Sequence, residues 1–154
     1  MLDLLLPRNI DKTYRGHKLA LWLFGFVVFS KLTMGLNCVF NGYFVARNAD
    51  GIPLDSYTHA GTQTVLFLFA AWGLGQVMLG LLGLVALLRY RAMVPLAFAL
   101  LLLEHASRRF LALAIPVERV GSPSGPLVNW VLLGVMVVGL ALALRRQGKP
   151  RPLE

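Results

Sequence analysis

Six side chains could do chemistry in this sequence, and all six interrupt runs of apolar residues: Lys31, Gln76, Glu104, His105, Arg108 and Arg109. A carboxylate beside an imidazole is a pair that can move a proton, since an unperturbed histidine titrates near pH ~6.5. Three cations grouped round one carboxylate have a surplus of positive charge. That surplus calls for an acceptor: a backbone carbonyl, water, or the oxygen-rich end of a ligand. Glu104 and Arg108 are four residues apart, as are His105 and Arg109, so on a helix each pair stacks on one face. By the helical period the four cover an arc of about 140°.

Their surroundings make these residues conspicuous. An ionisable group at the middle of a bilayer costs roughly 2.5–3.5 kcal/mol even on the permissive insertion scale, so it persists where it pairs, reaches water or serves a function. Lys31 lies twelve residues beyond Leu19, Glu104 twelve beyond Ala92, and Gln76 twelve before Leu88. At 1.5 Å per residue all three fall about 18 Å from the same end of the chain's helices. Three separate segments thus put polar groups in one layer. The expected contact is an ion pair between Lys31 and Glu104 with Gln76 bonding nearby, the helix 3 arc facing the interior or a water-filled cavity. Two plainer roles stand beside a ligand site. Lys31–Glu104 could do no more than fix helix register, and Arg108 and Arg109 could reach out to headgroups.

The elements that must position this layer are four apolar segments, roughly Leu19–Tyr43, Thr62–Leu88, Met93–Ile115 and Leu127–Leu144. Each approaches the ~20 residues that cross the hydrocarbon core, and backbone amides in lipid must be satisfied within the segment. The expectation is an all-α, four-transmembrane-helix bundle, one membrane domain over residues 1–154. Asp50-Gly51 with Pro53, the hairpin Arg89-Tyr90-Arg91, and the stretch from Pro116 through Gly121 to Pro126 mark the breaks. The first segment is too long for a signal-peptide core and Lys31 interrupts it, so it reads as a retained span. Leu2 to Leu6 form a short apolar patch suited to the interface.

Ten cations flank the ends at Arg8, Lys12, Arg15, Lys18, Arg89, Arg91, Arg145, Arg146, Lys149 and Arg151, against Arg47 and Arg119 in the other loops. The positive-inside rule then puts both termini in the cytoplasm. Trp22 and Tyr90 belong to one aromatic belt, Tyr43 and Trp130 to the other. With 57% hydrophobic and 14% charged residues, the chain departs from soluble composition, and its net charge of +8 belongs to membrane flanks, which argues against nucleic acid.

Other features point to packing. Ser30, Thr33, Asn37 and Asn41 share a face of helix 1 and could bond another helix. Ala71, Gly75, Gly80, Gly83, Gly134 and Gly139 suit close helix approach, within the bundle or between protomers. Asp50, Asp55 and His59 match no standard metal spacing, and turn chemistry is the better reading. Cys38 has no partner for a disulfide, and only His105 lies deep enough to ligate haem, so no cofactor is expected.

In layout the chain resembles DoxX-like four-helix proteins and other small bacterial membrane proteins. The resemblance rests on the four short spans, the loop Asp50-Gly51-Ile52-Pro53-Leu54-Asp55 and the run Leu103-Glu104-His105-Ala106-Ser107-Arg108-Arg109. It implies a multi-pass protein of the bacterial inner membrane and a quinone or lipid partner, and it assigns no functional residue. The expected function is an accessory, scaffold or ligand-binding membrane subunit whose polar layer holds a lipid or quinone head group. Membrane lipids, partner subunits or further copies of the chain are its expected partners. The alternatives are an enzyme acting on a lipid or quinone, with Glu104 and His105 as acid–base groups, and a small proton-coupled transporter working as an oligomer.

Overall fold

The computed structural model describes residues 14–145, together with Leu5 and Lys12. Most of the Leu2–Leu6 patch and the cations Arg8, Arg146, Lys149 and Arg151 lie outside the described residues. Every regular element among the described residues is helical. Four are long: α1 (Lys18–Phe40), α2 (His59–Leu88), α3 (Val94–Ala114) and α4 (Gly125–Ala143).

Local chemistry sets the ends. His17 opens α1, its Nδ1 accepting from the Leu19 amide at 3.2 Å. Thr58 caps α2 through the Gly61 amide at 3.2 Å, which starts that helix three residues ahead of the expected Thr62. Tyr43, expected as the last residue of the first span, lies beyond its end. The backbone leaves helical geometry at Asn41, one short turn follows over Gly42–Phe44, and a π-helical turn runs from Val45 to Ala49. Asn41-Gly42 is a natural stop, because asparagine and glycine release the helix cheaply. Pro95 and Pro126 stand in the first turns of α3 and α4, where a missing amide hydrogen is harmless.

Three helices, α1, α2 and α4, are long and apolar enough to cross a membrane. At 30 residues α2 is about 45 Å long, more than the ~30 Å hydrocarbon core of a bilayer. The 21 residues of α3 are long enough to cross, but Glu104, Arg108 and Arg109 lower its apolar character and it is not among the three. Around the outside stand large apolar side chains, Trp22 80% and Phe110 74% exposed, with Phe67, Leu82 and Leu103 similarly bare. Such a surface suits lipid far better than water.

The bundle has a vertical order. Towards the chain-terminal end lies a close-packed apolar core. There Phe24, Val27 and Val28 of α1 meet Phe98 and Leu101 of α3 and Met136 of α4. The Phe24 and Phe98 rings are 4.8 Å apart at their centroids. A side chain at Gly139 would collide with the Phe98 ring, so glycine lets that ring lie on the α4 backbone. Helix α1 packs most extensively on α2 and then on α4, while α3 is held chiefly by α4. Helices α2 and α3 touch sparingly beyond their shared hairpin.

Some packing expectations need correction. Gly80 and Gly83 do admit Leu32 and Val28 of α1, but Gly75 and Gly134 face open space with nothing within 4 Å. The tightest crossing uses Gly35 and Gly73 instead. Among the described residues the polar face of α1 makes no hydrogen bond to a neighbouring helix either. Ser30 donates to the Phe26 carbonyl at 2.9 Å and Asn37 to the Thr33 carbonyl at 3.0 Å, so these side chains satisfy themselves on their own helix.

Candidate functional site: a polar layer beneath an arginine-lined cavity

Above the apolar core, side chains from α1, α2 and α3 meet in one hydrogen-bonded layer. The ammonium of Lys31, 3% exposed, donates to Gln76 Oε1 at 2.7 Å and to Glu104 Oε2 at 2.5 Å. Gln76 Nε2 donates to the other carboxylate oxygen at 3.0 Å, and Arg108 Nε donates to that same Oε1. Glu104 therefore accepts three hydrogen bonds on its two oxygens, and a lysine that lipid would reject is wrapped by acceptors. The shared depth read from three separate segments corresponds to a real contact.

The chain of contacts continues through His105 to α4. A terminal nitrogen of Arg108 lies 3.0 Å from His105 Nδ1, and His105 Nε2 lies 2.9 Å from the Asn129 carbonyl. A guanidinium can only donate and a carbonyl can only accept. Nδ1 must then carry the lone pair and Nε2 the hydrogen, which assigns the neutral imidazole in one tautomer. Both ring nitrogens are engaged in an almost fully buried ring, so His105 ties α3 to α4.

On the side away from the core the helices border a half-open cavity of about 650 Å³. Its walls are apolar for the most part, with Met34 of α1, Leu68 of α2, Leu111 of α3 and Val128 of α4 among them. The sparse contact between α2 and α3 leaves room for it. Into this apolar space come Arg108, Arg109 and Arg119, with Asp50 as the carboxylate of the wall. Arg108 lies 5.0 Å over the ring of Trp72, and Arg109 lies 5.0 Å over the ring of Trp130. Indole faces hold cations by electrostatic attraction, and a desolvated pair strengthens the effect. Trp130, expected only as a belt residue, thus serves to seat Arg109.

The two loops at this end form the roof. The π-helical turn closes with the Asp50 amide donating to the Val45 carbonyl at 3.0 Å, which points Asp50 towards the cavity. Gly51 adopts a φ of 71°, and its carbonyl accepts from Val120 at 2.8 Å, joining the first outer loop to the second. Arg47 pairs with Asp55 at 2.7 Å and Tyr43 donates to the same carboxylate at 3.0 Å, so Asp55 belongs to a surface ion pair away from Asp50.

Burial pushes the Asp50 carboxyl above its ordinary value of 3.8, against the opposite pull of Arg119 and Arg108. The folded chain then holds this proton more tightly than the unfolded chain. The associated stability is full below pH 3.8 and is lost as pH rises through the higher folded-state value. Asp50→Asn, which cannot ionise, is expected to melt above the parent at neutral pH, the difference shrinking towards acid. Thermal unfolding in detergent across a pH series measures this. A variant that melts lower at neutral pH would mean that attraction to Arg119 and Arg108 outweighs burial.

All six residues singled out from the sequence lie in the layer or in the cavity wall. Trp72, Asp50, Arg119 and the Asn129 carbonyl join them. A tryptophan in an apolar span looks like any lipid-facing aromatic, and a backbone carbonyl has no sequence signature. Compared with protein-family models, curated proteins and solved structures, the chain matches none, so its chemistry has to be read from the layer and the cavity.

Proposed function

We propose that this chain is a four-span inner-membrane protein, N-in and C-in, of the bacterial type. Its cavity holds the head of an amphiphile such as a lipid or quinone, which makes it a ligand-binding or accessory subunit. The observation that carries the reading is the 650 Å³ cavity with apolar walls and arginines seated on tryptophans. That volume is within the ~300–1,000 Å³ range of small-molecule sites, and few convergent polar groups in an apolar wall is their usual character. As the fourth span, α3 turns Glu104, His105 and Arg108 onto partners of the other helices, which removes most of the penalty for charges in lipid. The short Arg89–Met93 connection sends α3 back alongside α2.

The rival in which His105 and Glu104 perform acid–base catalysis has less support. It asks for a ring nitrogen free to exchange a proton with substrate, and Arg108 and the Asn129 carbonyl occupy both.

The test is occupancy. Native mass spectrometry of protein taken from membranes in mild detergent is expected to show a retained lipid-mass adduct. Ala112→Trp, placed in the cavity wall, should remove the adduct while the melting temperature holds. Unchanged occupancy in the filled variant would rule out the cavity as the binding place.

A further inference from the structure

The charges of the cavity distinguish between possible heads. Glu104 is already shared between Lys31 and Arg108. Arg108 is spent on Glu104, His105 and the face of Trp72. Arg109 differs. It makes no hydrogen bond or ion pair among the described residues, and its Nε is buried without a partner. Trp72 Nε1 is a second buried donor without an acceptor. The exposed Arg119 reaches the cavity wall with no carboxylate in ion-pair range among the described residues, where Asp50 is the one acid of the wall. Layer and cavity together hold four cations, Lys31, Arg108, Arg109 and Arg119, against two carboxylates, Glu104 and Asp50. A ligand with neutral carbonyls would offer acceptors but bring no charge to balance this surplus beside apolar walls, where the buried Nε of Arg109 has no partner.

Resting on the cavity reading above, we infer that the ligand is an amphiphile with an anionic oxygen head, a carboxylate or a phosphate, and that Arg109 is the residue that selects it. Arg109 is poised for this: its guanidinium carbon lies 5.0 Å from the Trp130 ring centroid and its buried Nε has no partner, and a guanidinium can meet two oxygens of a carboxylate or phosphate at once. The apolar walls of α1, α2 and α4 take the tail. A neutral quinone head is therefore the weaker ligand.

The test uses full-length protein in nonionic detergent, with dodecanoate, dodecyl phosphate and dodecanol as probes of equal chain length, read by native mass spectrometry. The anions are expected to bind about ten-fold to a hundred-fold more tightly than dodecanol, the worth of one charge-assisted hydrogen bond. Preference for dodecyl phosphate would point to a phospholipid-type head and preference for dodecanoate to a free fatty acid, and either supports the inference. Arg109→Gln should bring both anions down to the dodecanol level. Arg109→Lys should keep part of the preference, and it serves as the second variant should the first fail to fold. Equal binding of all three probes, each abolished by Ala112→Trp, would overturn the anionic head and leave the cavity reading intact. If no probe binds in a manner sensitive to Ala112→Trp, both are overturned.

Discussion

Glu104→Leu is expected to cost the protein about 3–5 kcal/mol, the usual cost of leaving a buried charge without its partner. Lys31 is the charge stranded: only 4% of its side chain is exposed, and Gln76 Oε1 would be its one remaining acceptor among the described residues. The reverse change should be milder. Lys31→Leu leaves Glu104 bonded to Arg108 and Gln76 and itself partly exposed, at a cost of about 1–2 kcal/mol. The Lys31→Leu/Glu104→Leu double variant should then be more stable than Glu104→Leu alone, because the stranded ammonium is gone and leucines fill the space. Recovery stays incomplete, since Arg108 keeps only His105 and Trp72 as partners. Equilibrium unfolding in mixed micelles reads all three. Additive costs would mean that the two side chains do not act as a pair.

The second large effect concerns α1 and α2. A Cβ at Gly73 would lie 2.7 Å from the Gly35 carbonyl oxygen and 2.8 Å from Cys38 Cβ, while a Cβ at Gly35 would lie 2.7 Å from the Gly73 carbonyl oxygen. Two of those neighbours are backbone oxygens and the third is a Cβ fixed to the backbone, so none can yield without parting the helices. Gly73→Val is thus expected to cost about 3 kcal/mol or more. It should also pull Gln76, one turn further along α2, away from Lys31. Gly75→Val supplies the control. Nothing lies within 4 Å of Gly75, so the same substitution two positions on should change stability by less than about 0.5 kcal/mol. Melting temperatures of the two variants in one detergent decide it, and equal losses would mean that helix propensity, not the crossing, sets the cost.

Much of the architecture was legible along the chain because lipid is a simple solvent. It demands long apolar helices, so composition marks them, and it penalises charge, so any charge inside them stands out. Spacing along a helix also converts to depth at a fixed rise. That is why Lys31, Gln76 and Glu104 could be assigned to one layer before their contact at 2.5–3.0 Å was known. Rotation about each helix axis has no such signal. Gly75 and Gly73 differ by two residues and about 200°, yet one faces open space and the other supports the tightest crossing.

Sequence by itself therefore determined the helical class, the breaks at glycine and proline, and the depth of the polar groups, all of which follow from one-dimensional distance and from the cost of burying charge. Tertiary structure alone decided which faces meet, that the polar face of α1 bonds its own backbone, and that both nitrogens of His105 are taken. It also decided that sparse contact between α2 and α3 leaves a cavity where Arg109 has no acceptor among the described residues. These features depend on how four helices pack against each other, and packing is a relation between segments that no single segment encodes.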